Sequence, residues 1–105
     1  MHNPVRDEVR LLQERHHELP FPPRLRGEEI NGVDMGMVDA DIAGCVQVWL
    51  GSSSNLDPGR IAVLRTCRDD VERVLPTLTE PDEVEFYSVL LDVANAVIRA
   101  QKGWS

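Results

Sequence analysis

One stretch constrains this chain more than any other: residues 33–50, reading VDMGMVDADIAGCVQVWL. Its apolar residues Met35, Val38, Ile42, Cys45 and Trp49 recur at alternating gaps of three and four. That spacing keeps side chains on one face of an α-helix. Val46 and Leu50 widen the face, so the pattern predicts a central helix that touches most of the others. A second row, Gly36, Ala40 and Gly44, repeats every fourth residue on another side. Small residues in such a row let a second backbone approach closely.

The rest of the chain supplies three more helical patterns. Asn3-Pro4 is a cap followed by proline at the first helical position, and Asp7 and Glu8 suit the positive end of the helix dipole. Val5, Val9, Leu12, His16 and Leu19 then give a thin stripe, so a first helix is expected near residues 4–19, on the surface of the bundle. Pro20, Pro22 and Pro23 end it, because proline disfavours α geometry in the residue before it. Residues 20–32 read as an extended connection pinned to the core by Phe21, Leu25 and Ile30. Asn31-Gly32 is a turn signal, but alternation around it is weak, and a hairpin there is the lesser reading.

The central helix is expected over residues 34–50, stopping at Gly51. Asp57-Pro58 repeats the cap-then-proline entry, and Ile61, Leu64, Cys67, Val71, Val74 and Leu75 stripe a third helix over residues 58–75. Thr79 is a candidate cap for the last helix, residues 80–101, with Val84, Tyr87, Leu91, Ala94 and Ile98 on its apolar face, flanked by Phe86, Leu90 and Val97. Trp49 should be buried, and Trp104, with no periodic partner, exposed. The whole is a single all-α domain over residues 1–105: a compact four-helix bundle with a proline-rich crossover after the first helix. At 105 residues, such a chain is long enough to bury a core without metal or disulfide staples.

Composition narrows the partners. The formal net charge of −7 weighs against nucleic acid and against an anionic membrane surface, and leaves open a basic protein partner. No apolar run approaches the ~20 residues that span a bilayer, and residues 1–9 hold no signal core. A cytoplasmic protein with reduced thiols is expected. Lys102 is the only lysine, a bias that fits a high-GC bacterial genome better than a functional need.

No catalytic constellation emerges, and no cofactor or metal is expected. Asp39 and Asp41 are a carboxylate pair, but two residues apart on a helix they diverge by about 160° and cannot share a ligand. Asp39 is expected to pair with Arg60, Arg65 or Arg68 of the third helix. His16, His17, Cys45 and Cys67 lack the close pairing of a zinc site, and the cysteines lie on apolar stripes where burial makes a thiol inert. Residues 51–59 lack the spacing and lysine of a phosphate loop. The features left are surfaces: Gly36, Ala40 and Gly44 on the central helix, and the acidic start of the last helix with Glu80, Asp82 and Glu83. The chain therefore reads as a non-enzymatic interaction or regulatory module, binding another protein or itself as a symmetric dimer. The alternatives are an immunity- or inhibitor-type protein that masks a basic toxin or enzyme, and a ligand-binding bundle using Asp39, Asp41 and His16.

Overall fold

The computed structural model describes residues 3–52 and 54–102. Four helices make up the body: α1 (Pro4–Glu18), α2 (Met35–Gly51), α3 (Pro58–Val74) and α4 (Pro81–Lys102). Three of them start on the side chain of the residue before. Asn3 accepts from the Arg6 amide at 3.1 Å, Asp34 from Met37 at 2.9 Å, and Asp57 from Arg60 at 3.2 Å. Each cap occupies an amide that no helical carbonyl can reach. Arg60 also donates to the Asp57 carboxylate from its guanidinium, which holds that carboxyl below its usual range. At α4, Glu80 rather than Thr79 stands at the cap position, since its carbonyl accepts from the Val84 amide.

The crossover differs from the expected extended segment. Leu19 leaves α1 with ψ at 130°, as the proline after it requires. A single 3-10 turn follows at Pro23–Leu25 and buries Leu25. Then comes a short antiparallel hairpin, β1 (Glu29–Ile30) and β2 (Val33–Asp34), with Ile30 opposite Val33. Asn31 and Gly32 make the turn with φ of 51° and 80°. Positive φ at both central residues is what a tight two-residue hairpin needs, and Asn-Gly adopts it at least cost. With two residues per strand, alternation had no length over which to show. The hairpin is held from outside: Val33 is buried, Arg73 of α3 donates to the Asn31 carbonyl at 3.4 Å, and the Met35 amide reaches back to Glu28 at 3.1 Å.

Helix α2 touches all three other helices, as expected, but α4 is the more completely covered. Between Phe86 and Ile98 only Asp92 is exposed, and α4 packs against each of the other three helices. Tyr87, Ala94 and Ile98 of α4 are buried as expected, and so are the flanking Phe86, Leu90 and Val97 together with Glu83 and Val93, whereas Val84 is exposed and Leu91 only half-buried. Trp49 is buried as expected, and Trp104 lies outside the described residues. Helix α2 buries Met35, Val38, Ile42, Cys45, Val46 and Trp49 and leaves its remaining side to solvent. It runs through Gly51 to Ser52, whose hydroxyl bonds to the Val48 carbonyl at 2.9 Å.

Two long polar side chains clasp the far end of the bundle. The Arg6 guanidinium donates to the Leu50 carbonyl, one of the orphaned acceptors in the last turn of α2, and to the Ser54 hydroxyl at 2.8 Å. Gln101 of α4 accepts from the Leu56 amide at 3.0 Å and donates to Asn55. These bonds order the loop between α2 and α3, and Leu56 is buried beneath them.

Truncating Ile42 or Leu90 to Ala should cost ~2–5 kcal/mol in urea unfolding, the usual range where neighbours cannot collapse into the space. Leu91→Ala should cost less than either. Equal losses at Leu90 and Leu91 would put the wrong face of α4 in the core.

Candidate functional site

Polar residues collect at two places, and they differ in kind. The first lies between α1, α2 and α4. His16 on α1 is buried, and its Nε2 stands 2.7 Å from Oδ1 of Asp39 on α2. With the carboxylate as acceptor, Nε2 carries the proton. Nδ1 then has no hydrogen-bond partner among the described residues. The ring packs against Phe86 of α4 at 4.8 Å between centroids, and Phe86 in turn meets Phe21 of the crossover at 5.4 Å. One turn earlier Gln13 is buried too, donating to the Ala43 carbonyl at 3.5 Å. The Tyr87 hydroxyl donates to the Met35 carbonyl at 2.8 Å, which ties α4 to the start of α2. Burial pushes the Tyr87 hydroxyl well above its ordinary pKa, with Asp39, Asp34 and Glu83 adding to the effect.

Asp39 therefore pairs with α1 and not with an arginine of α3. The reason is rotation: α2 presents Asp39 and Ala43 to α1, and presents Cys45 to α3, where its thiol lies 3.7 Å from the Arg60 carbonyl. Arg60 and Arg68 are engaged instead with Asp57 and Asp69. The His16–Asp39 pair, walled by rings, joins α1 to α2, and among the described residues no hydroxyl or thiol is hydrogen-bonded to His16.

The second place is the seam between α2 and α3. Asp41 emerges there, far round the helix from Asp39, as the two-residue offset dictates. It lines two adjoining clefts. One of about 130 Å³ lies under the hairpin and includes Asp34, Met37 and Asp70. The other, of about 380 Å³, lies between Asp41 and Ala62, Val63 and Thr66 of α3. Cys67 borders both. Among the described residues Asp41 has no hydrogen bond or ion pair, whereas Asp34 caps α2 and Asp70 accepts from Arg73 at 3.2 Å.

The acidic start of α4 is less bare than its sequence suggests. Glu80 pairs with Arg24 at 3.2 Å and Glu85 with Arg15 at 3.5 Å. Glu83 is 3 % exposed and so belongs to the interior, not to the surface cluster. Arg24 stands 3.7 Å from its Oε2, within ion-pair range but beyond hydrogen bonding. Asp82 stays exposed. The row on α2 faces outward: Ala40 and Gly44 are exposed, Gly36 is partly so, and a Cβ on Gly44 would meet nothing within 4 Å. The row is thus no seam for α1.

Cys45 and Cys67 are free, buried thiols at the α2–α3 interface, away from His16. Among the described residues no group of three His, Cys, Asp or Glu side chains is placed to hold a metal ion. No helix among them is long and apolar enough to cross a membrane. No family model, curated protein or solved structure matches the chain.

Two outcomes test these assignments. Asp39→Ala should cost ~1–3 kcal/mol, because it strands a buried N–H. Combining it with His16→Leu should cost less than the two single changes summed, since no donor is then left unpaired. An additive cycle in urea unfolding would mean that the pair does not couple α1 to α2. The other outcome concerns pH. Burial, with Asp41 and Asp70 alongside, pushes the Cys67 thiol from 9.0 up to about 11. Between those values the unfolded chain ionises and the folded one does not. Stability held below pH 9 should therefore fall as the pH rises toward about 11. Cys67→Ala should flatten that fall, and an unchanged slope would refute the assignment.

Proposed function

We propose that this chain is a non-enzymatic protein-interaction module of the cytoplasm, and that its contact face is the outward side of α2. The observation that carries this reading is the chemistry of that side. Met37, 58 % exposed, and Val48 stand at its ends with Ala40 and Gly44 between them, and Val63 of α3 lies exposed beside them. Taken as a whole, α2 is apolar on average, unlike α1 and α3, although its outward half also carries Asp41 and Gln47. Exposed apolar groups gathered on one face mark contact sites more often than chance placement does. The absence of side chains at Gly36 and Gly44 would let a partner helix approach the backbone of α2.

The occupant in this reading is a second copy of the chain or another protein. An immunity- or inhibitor-type role is the version in which the partner is a basic toxin or enzyme, and the net charge of −7 favours it. The small-ligand reading loses ground, because Asp39 faces α1 while Asp41 faces the α3 seam.

Ala40→Arg tests the proposal. Ala40 is exposed, so the variant should keep its melting temperature, a change within ~0.5 kcal/mol being usual at such sites. It should lose whatever association the unmodified chain shows, read by light scattering at rising concentration and by capture from native extract. A chain that stays monomeric and captures nothing that the variant loses would sink the proposal. A large drop in melting temperature would return the row to internal packing.

A further inference from the structure

The two clefts of the α2–α3 seam share Asp41, Cys67 and Asp70, so they form one continuous groove. Met37, Asp41, Gly44 and Val48 follow one another at gaps of four, three and four, which places them along one edge of α2. Met37 to Val48 is eleven residues, or about 16 Å of helix at 1.5 Å per residue. That length matches three turns of a second helix laid alongside. The opposite edge is Val63 and its neighbours on α3. Met37 and Val63 are the exposed apolar residues that line the groove, and exposed Val48 continues the Met37 edge of α2 beyond it.

The charge of the groove has one sign. Asp34, Asp41 and Asp70 line it, and the cation nearest the hairpin end, Arg73, is already paired with Asp70. The field of these carboxylates is felt locally, since Asp41 and Asp70 both raise the Cys67 thiol. At the start of α4, Glu80 and Glu85 are matched by Arg24 and Arg15, and Asp82 is exposed. Among the described residues Asp41 has no ion pair, and it lies where the two clefts join, with exposed Met37 and Val63 beside it. A second copy laid on this groove across a two-fold axis would bring the same carboxylates against each other in a partly dry interface, which is costly. A partner with positive charge on the flanks of an apolar stripe meets both features.

We propose that the α2–α3 groove receives a basic amphipathic helix of a partner protein. Its apolar stripe lies along Met37 and Val63, toward Val48, and its Lys or Arg side chains pair with Asp41 and share Asp70 with Arg73. This rests on the reading of the chain as an interaction module and adds the chemistry of the partner.

The test titrates the full chain with a synthetic helix of about 18 residues, long enough to hold helical structure, with a Leu stripe flanked by Lys. A matched peptide carries Glu in place of Lys. Binding is followed by amide and methyl NMR. The expected result is saturable one-to-one binding of the Lys peptide, with the largest shifts at Met37, Val48 and Val63. Binding should weaken about tenfold in the doubly substituted Asp41→Asn, Asp70→Asn chain, the size two exposed ion pairs supply. The Glu peptide should not bind. Equal binding of both peptides, unchanged affinity in the double variant, or shifts centred on Glu80 and Asp82 would overturn the inference. Self-association abolished by Val63→Glu, with the helical circular dichroism retained, would give the groove to a second copy: the basic-partner inference then fails and the interaction-module reading stands. No binding of either peptide, by a chain that also neither self-associates nor captures a partner, would end both.

Discussion

The structure depends on covering α4. That helix carries apolar side chains on nearly every side from Phe86 to Ile98, so it cannot lie on a surface as an ordinary amphipathic helix does. Three neighbours are needed, and the chain supplies three. Helix α3 follows α4's other partners in the antiparallel run, α2 closes the diagonal, and α1 returns through the crossover to cover the last open side. The thinness of α1's own apolar stripe is consistent with this task. It contributes Val9 fully, Leu12 partly, and fills the remainder with Gln13 and His16.

Using polar residues for that last seam has a consequence. Gln13 and His16 are buried with one atom each left without a hydrogen-bond partner among the described residues. Such atoms cost stability relative to a fully satisfied network. In exchange the seam has direction. The His16–Asp39 bond at 2.7 Å and the Gln13–Ala43 contact set the height of α1 on α2, where an all-apolar face would slide more freely. The hairpin and Tyr87 do the same at the other end, fixing where α2 begins against α4.

Many of the acids are answered by an arginine close in sequence or across one helix pair. The pairs Asp7–Arg10, Asp57–Arg60 and Asp70–Arg73 are each three residues apart, while Glu80 and Glu85 reach Arg24 and Arg15 across the bundle. Exposed pairs of this kind contribute little to stability. Their effect is on the shape of the surface potential. In the α2–α3 groove, Asp41 is left without such a pair among the described residues, beside the exposed Met37 and Val63.

Much of this was legible in the residues alone. The four helices, two of their caps (Asn3 and Asp57) and the burial of Trp49 and Ile42 follow from local rules: spacing at three and four, Asn or Asp before an amide, proline at a first turn. These are properties of short segments, and no distant residue is needed to read them. What lay beyond the sequence was every choice made between segments. Periodicity alone could not show that α4 is covered more completely than α2, because both stripes are wide and only the neighbours decide the cover. Nor could it assign Asp39 to His16 instead of an arginine, since that depends on the rotation of α2 between α1 and α3. Glu83 looked like one more surface acid until Arg24 and the crossover closed over it. The groove is the same case: Asp41, Val63 and Asp70 are separated by many residues, and only antiparallel packing of α2 on α3 brings them into one surface.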